Sequence, residues 1–213
     1  MQKTLLTLAL LGTIGVAQAA HLEIGAGYAK GKLVANGTWR QVGNPYTMHS
    51  NNITWFAGIT GHPYKYLAYH VDFVHIGTYS ENSWDTSDYS YGIQHCLGAN
   101  CSGGWYNFVG AGMDQGIRVT VGPTFGVGHW HGSLQVGPYF YDSTWHVTIY
   151  NTQGQIVGTG DKFNRIQVGD VVGASLRYRG ISLAADYYLM RAPQDRNPPL
   201  IYGAYVATVG YRF

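Results

Sequence analysis

Apolar and polar residues alternate along much of the chain, and a two-residue period of this kind predicts β-strands. The end of the chain shows the period clearly, because Tyr205, Ala207, Val209, Tyr211 and Phe213 fall on one face of an extended strand. The other face carries small residues and one charge. A final strand with an aromatic and aliphatic face fits a barrel whose outer surface contacts lipid.

The same alternation recurs along the chain, so the sequence predicts eight strands joined by alternately long and short connections. The predicted strands cover about residues 21–30, 52–60, 66–76, 115–127, 133–141, 165–178, 181–190 and 200–213, with the fifth continuing after a bulge near Asp142 into 145–150. The short connections are 61–64, 128–132 and 179–180, and the long irregular ones include 77–106, 151–164 and 192–199.

This rhythm of connections favours one architecture over a soluble sandwich. Membrane barrels have tight periplasmic turns and longer external loops. We therefore predict an all-β, eight-stranded antiparallel up-and-down transmembrane β-barrel, closed between its first and last strands, with both termini periplasmic. The residues predicted to face lipid are Leu22, Ile24, Trp55, Ile59, Leu67, Tyr69, Phe73, Val119, Val121, Phe125, Val168, Leu176, Leu183, Tyr187, Val209 and Phe213.

The N-terminus has the features of a secretory signal. A short basic start, an apolar run over residues 4–16 and the small-x-small tripeptide Ala17-Gln18-Ala19 follow one another. The prediction is a signal peptide over residues 1–19 and a barrel over residues 20–213.

Composition agrees with a membrane barrel and limits the other possibilities. Only 11% of the 213 residues are charged, whereas 15% are aromatic and 30 are glycine. The formal net charge is +2 and no basic run occurs, which argues against nucleic-acid binding. Cys96 and Cys101 lie close together in a polar segment, and in an exported protein this spacing predicts a local disulfide.

The signal, the eight strands, the loop rhythm and the terminal Tyr211-Arg212-Phe213 resemble the small eight-stranded bacterial outer-membrane barrels. These include the OmpA membrane domain, OmpX and Ail-type proteins, and the lipid A deacylase PagL. The resemblance implies an outer-membrane location, contact with membrane lipid and lipopolysaccharide, insertion by the barrel-assembly machinery through the C-terminal strand, and a monomer. PagL-type enzymes carry a His-x-Ser motif followed by Asn on the penultimate strand, where this chain has Asp186-Tyr187-Tyr188-Leu189. No catalytic residue is therefore transferred.

Two patterns could carry chemistry. His129 and His131 flank Trp130 and could share a face, but no third metal ligand is evident. We favour a turn with an interfacial tryptophan, and we predict no metal and no cofactor. The second pattern is a set of charged or titratable residues predicted to face the barrel interior: Glu23, His70, Asp72, Arg118, Arg177, Asp186 and Arg212.

The interior of an eight-stranded barrel is just wide enough for side chains to fill, so interior charges must pair. A packed polar plug is favoured over a proton or ion path. Glu23 and Arg212 lie near the ends of the first and last strands, which become neighbours when the barrel closes. We therefore predict an ion pair between them.

Function is less constrained than fold. Large amphipathic residues lie in or beside the second long loop, where binding residues concentrate: Tyr79, Trp84, Tyr89, Tyr91, Trp105 and Tyr106. The favoured interpretation is a non-enzymatic barrel whose external loops serve surface interaction or envelope integrity. A lipid A-modifying hydrolase of the PagL architecture and a narrow solute pore are the alternatives.

Overall fold

The computed structural model describes residues 20–33, 49–86, 105–190 and 201–213, and nine β-strands lie within them. The strands are β1 (His21–Leu33), β2 (His49–Ser50), β3 (Ile53–Tyr64), β4 (Leu67–Thr86), β5 (Trp105–Val127), β6 (Trp130–Tyr150), β7 (Ile156–Tyr178), β8 (Ile181–Leu189) and β9 (Ile201–Arg212). The predicted signal peptide and both cysteines lie outside the described residues.

Eight of these strands close into a ring. Each of β3 to β8 pairs antiparallel with the next strand in the chain, and β1 pairs with both β3 and β9. The two-residue β2 pairs with Ser80 and Tyr79 of β4, beyond the point where β3 leaves that strand. The predicted eight-stranded antiparallel up-and-down barrel is confirmed, including its closure between the first and last strands.

Three two-residue turns lie at one end of the barrel, which we name the turn end. They are Lys65–Tyr66, Gly128–His129 and Arg179–Gly180. Gly128 and Arg179 have positive φ angles of 62° and 54°, which suit tight hairpins. Both barrel termini are at this end, since the Phe213 amide donates to the Leu22 carbonyl at 2.9 Å. The opposite end, where β4 runs toward β5 and β6 toward β7, is named the loop end.

Several predicted boundaries are wrong, and the strands are longer than the pattern indicated. The turn expected at 61–64 is part of β3, and the loops expected at 77–106 and 151–164 are shortened by β4, β5 and β7. Chain reversal between β6 and β7 takes only residues 151–155, where the Asn151 side chain accepts from the amides of Gln153 and Gln155. Polar residues on both flanks hid the alternation there.

The bulge predicted near Asp142 is also wrong. β6 keeps continuous register with β5 through this region, and its pairing with β7 shifts only near His146 and near Tyr150. The polar residues Asp142, Ser143 and Thr144 therefore interrupt the apolar pattern without interrupting the strand.

Residues are distributed between the outer and inner faces of the barrel as predicted. Every residue of the predicted lipid-facing set is exposed or half-exposed on the outside, with Val121 45% and Phe125 64% exposed. Aromatic side chains ring the turn end: Tyr64, Tyr66, Trp130, Tyr178, Tyr211 and Phe213. Toward the loop end the outer face becomes polar, at exposed positions such as Thr78, Ser80, Asn82 and His146. Among the described residues there is no helix with the length and apolar character of a membrane span.

Candidate functional site

An ion network crosses the middle of the barrel interior. Arg118 on β5 lies directly opposite Asp72 on β4, and its Nε and Nη2 donate to Asp72 Oδ2 at 2.9 and 2.7 Å. Arg118 Nη1 reaches across the barrel to Asp186 Oδ2 on β8 at 2.5 Å and to the Tyr188 hydroxyl at 3.3 Å. All three charged side chains are buried, so one guanidinium joins strands on both sides of the interior.

Glycines make room for the two carboxylates. Gly58 on β3 lies opposite Asp72, and Gly173 on β7 lies opposite Asp186. A Cβ placed on Gly58 would collide with Asp72 Oδ1, and one placed on Gly173 would collide with Asp186 Oδ1. These neighbouring strands therefore provide no side chain at the level of the acids, and each carboxylate occupies the space instead.

Three tyrosines close the interior beside the ion network. Tyr139 stacks on Tyr141 with ring centroids 5.3 Å apart and meets Tyr188 edge-on at 4.9 Å. All three are buried, and the Tyr139 hydroxyl donates to the Val74 carbonyl at 3.3 Å. The aromatic layer therefore contacts the ion network directly, through the Tyr188 hydroxyl and Arg118.

Toward the loop end the interior is mainly apolar, with one buried acid. Asp114 accepts hydrogen bonds from Ser143 and Tyr79, and Tyr141 donates to Gln167 Oε1 at 2.6 Å. The buried apolar side chains of the strand ends are Phe108, Trp145, Val147, Ile149 and Val157, and Ile76 and Met190 belong to the same core cluster. The projecting parts of the long strands therefore have a core of their own.

Toward the turn end the interior is polar and partly open. Glu23 accepts from the Ser182 hydroxyl at 2.5 Å, and Ser133 and Ser175 share a hydrogen bond of 2.8 Å. These residues line a cavity of about 30 Å³ with His70. A space of this size holds one or two water molecules.

Below this cavity lies a wider opening at the turn end, which we name the mouth. Its volume is about 660 Å³. Cationic side chains from two strands and two turns line it, namely Lys65, Arg177, Arg179 and Arg212, with His21, His62 and His131 beside them. No Asp or Glu side chain is among the described residues that line it. The mouth is therefore strongly basic.

The seven residues predicted to face the interior do lie on inward-facing positions, in three layers. Asp72, Arg118 and Asp186 form the ion network, Glu23 and His70 line the small cavity, and Arg177 and Arg212 reach the mouth. Arg177 lines both spaces.

The predicted Glu23–Arg212 ion pair is wrong, although the register behind it is right. The two residues are direct partners across the seam between β1 and β9, but no ion pair joins them. The next residue of β9 on that face is Gly210, which has no side chain and lies near both Glu23 Oε1 and Ser182 Oγ. Glu23 reaches over this glycine to Ser182 on β8, whereas Arg212 extends into the mouth.

The aromatic residues predicted for loop binding separate into three groups. Tyr79 and Tyr106 are on strands, with side chains 2% and 4% exposed inside the barrel, so their assignment to an accessible loop surface is corrected. Trp84 and Trp105 lie on the paired ends of β4 and β5. Tyr89 and Tyr91 lie outside the described residues, as do Cys96 and Cys101.

His129 lies in a turn, whereas Trp130 and His131 begin β6, and the side chains of the segment diverge. Trp130 packs on Tyr178 with centroids 4.7 Å apart on the outside, whereas His131 lines the mouth. No group of three metal-binding side chains occurs in the part of the chain that the structure describes.

Sequence reasoning missed Asp114 and the interior tyrosines. Asp114 has the same parity as Arg118, but the predicted strand began one residue after it. The predicted interior set contains only charged residues and histidine, so it includes neither Tyr139 nor Tyr188. Counting back from Arg118 in steps of two residues places Asp114 on the interior face. Counting forward two residues from Asp186 places Tyr188 there.

The chain matches no protein-family model and no curated protein. Among solved structures it is similar to Ail, the attachment invasion locus protein of Yersinia pestis, which was crystallised in complex with the heparin analogue sucrose octasulfate. That similarity has a TM-score of 0.41 and 10% sequence identity, and it covers 91% of this chain and 97% of Ail. The barrel assignment rests on the strand pairing of the chain itself.

Proposed function

We propose that the protein is an outer-membrane barrel whose turn end faces the periplasm and whose loop end is outside the cell. The outer surface supports this proposal, because apolar side chains continue around the barrel above a ring of exposed aromatic residues. Interfacial aromatic girdles around an apolar band are typical of membrane barrels. Such an outer face would be costly in water, since large exposed apolar patches promote association.

We further infer a non-enzymatic role in surface interaction, and this inference rests on the lengths of the strands. β4, β5, β6 and β7 have 20, 23, 21 and 23 residues, whereas β8 has nine. Since about 9–11 residues cross a bilayer in a tilted strand, about ten residues of each long strand continue beyond it. They form what we name the projecting sheet, with an apolar inner side and an outer side that is mainly polar but exposes Ile156 and Ile166 on β7. A rigid platform of this kind suits presentation of a binding surface.

The packed interior favours this role over the pore alternative. The Arg118 network and the tyrosine layer occupy the barrel at mid-height, and apolar side chains fill the space above them. A solute moving through would have to displace buried ion pairs, which is costly because each freed charge would stay desolvated. We therefore expect no steady conductance in planar bilayers.

The test is adhesion of whole cells that carry the protein. One variant replaces residues 82–109 with an Asn-Gly turn, which removes the outer part of the β4–β5 hairpin, and a matched variant shortens the β6–β7 hairpin by removing residues 148–159. We expect cells with the intact protein to adhere to immobilised matrix proteins or eukaryotic monolayers, and the first variant to lose this adhesion. Heat-modifiable gel migration verifies that both variants fold.

Three results would contradict the proposal. They are adhesion that is equal with and without the protein, a change in the lipid A mass spectrum when the protein is present, and steady single-channel conductance. The second would favour the hydrolase and the third would favour the pore.

A further inference from the structure

The mouth at the turn end is a different surface from the projecting sheet, and the role proposed for that sheet does not involve it. Its four permanent cations come from separate parts of the chain. Lys65 and Arg179 are on two of the turns, Arg177 is on β7 and Arg212 is on β9. The barrel closure alone brings them to the rim of one space of about 660 Å³.

None of these cations forms an ion pair among the described residues, and Glu23 is an acid that acts electrostatically on Arg177. In the described part of the chain both ion pairs involve Arg118, in the middle of the barrel, and no Asp or Glu side chain lines the mouth. The nearest acid above the mouth, Glu23, is held by Ser182. Arg212 Nε is buried and makes no hydrogen bond. A cleft lined by one sign of charge raises the local concentration of the opposite ion.

The donors specify the chemistry of that ion. Guanidinium groups present paired N–H donors that match phosphate oxygens, and a lysine ammonium adds a point charge. His62 and His131 supply further ring N–H donors beside Arg177. We propose that the mouth is a binding site for a phosphate-bearing anion, held by Lys65, Arg177, Arg179 and Arg212.

Two sources of phosphate fit this position. The mouth is lined on its outer rim by the exposed rings of Phe125 and Tyr211, so that cations and apolar surface meet there. An anionic phospholipid would place its headgroup phosphate on the cations and its chains against the outer face. A soluble phosphorylated compound would use the cations alone.

The experiment uses the full-length barrel refolded in a maltoside detergent, which contains no phosphate. Native mass spectrometry measures retention of phosphatidylglycerol against phosphatidylcholine, and calorimetry measures binding of inorganic pyrophosphate. The test variants are Lys65→Gln alone and Lys65→Gln combined with Arg179→Gln. Lys30→Gln removes the charge of an exposed lysine on the outer face of β1 and is the matched control for Lys65→Gln. Arg179→Lys is a second control, because it replaces the guanidinium but keeps the positive charge.

We expect the double variant to bind the phosphate probe about tenfold or more weakly, because charge-assisted contacts are among the strong ones. Lys30→Gln should bind as the wild type does, and Arg179→Lys should lose less affinity than Arg179→Gln, because it keeps the charge but not the paired donors. Retention of phosphatidylglycerol alone assigns the lipid source, binding of pyrophosphate alone assigns the soluble source, and both with the same variant sensitivity assign a shared site.

Binding of neither probe by the wild-type protein overturns the proposal, whatever the variants do. An equal loss of binding in Lys30→Gln and Lys65→Gln also overturns it, because general charge would then explain the affinity. Heat-modifiable migration of each variant shows whether a loss reflects unfolding, and wild-type binding decides the proposal if a variant does not fold.

Discussion

Arg118 lies directly opposite Asp72 in the β4–β5 pair and binds one carboxylate oxygen of Asp72 with two nitrogens, at 2.9 and 2.7 Å. Its remaining donor, Nη1, binds Asp186 on the far wall. A single side chain therefore bonds across the barrel interior, and its removal leaves two buried carboxylates without a cation.

We expect Arg118→Met to destabilise the barrel by about 3–5 kcal/mol, because removing one partner of a buried ion pair leaves uncompensated charge. Adding Asp72→Asn and Asp186→Asn should recover much of this loss. Urea unfolding in lipid vesicles, followed by tryptophan fluorescence, measures both. A triple variant that is less stable than Arg118→Met alone would contradict this account of the network.

The glycines beside the acids give a second prediction. Gly58→Ala and Gly173→Ala should each cost about 1–3 kcal/mol, because the added methyl group meets a carboxylate oxygen and, at Gly58, also the Val71 carbonyl oxygen in a packed interior. Gly77→Ala is the matched control, since the nearest atom to its Cβ position is 3.4 Å away. Unfolding midpoints of the three variants compare them directly. Equal losses at all three positions would mean that the strand backbone, and not space for the acids, requires glycine.

The outer face gives a third prediction. Val121→Arg should cost about 2–4 kcal/mol in a bilayer if Val121 lies near its midplane. Thr78→Arg should change stability little, because Thr78 lies outward where the surface is polar. Reversible unfolding from vesicles gives both values. A neutral effect at Val121 would place the membrane band elsewhere on the barrel.

The residues of the outer face were predictable from sequence, because that prediction needs only the alternation of side chains along a strand. Val119, Val121 and Phe125 alternate with Arg118 and Thr120, and a strand places alternate residues on opposite faces. The same parity put Asp72 and Arg118 inside. It could not say that Arg118 also binds Asp186, because β8 faces β5 across the barrel and only the closed geometry brings them together.

The ends of the long strands and the mouth were not predictable for a related reason. Outside a bilayer both faces of a strand can be polar, so the alternation that marks a membrane strand is lost in β4 beyond Gly77. The mouth is formed by residues that are far apart in the chain, such as Lys65 and Arg212. Their shared location follows from the order of strands around the ring, which no local pattern contains.

The last prediction concerns the seam between β1 and β9. Glu23 and Arg212 are register partners without an ion pair, whereas Glu23 accepts a hydrogen bond from Ser182 across Gly210. A double-mutant cycle on Glu23→Gln and Ser182→Ala should therefore give a coupling of about 1 kcal/mol. The cycle on Glu23→Gln and Arg212→Gln should give a coupling close to zero, since no contact is lost. Gly210→Ala should weaken the Glu23–Ser182 coupling, because its methyl group would lie 2.7 Å from Ser182 Oγ. A strong coupling between Glu23 and Arg212 would instead show that the two charges interact across the seam, and it would contradict the side-chain arrangement described for this end of the barrel.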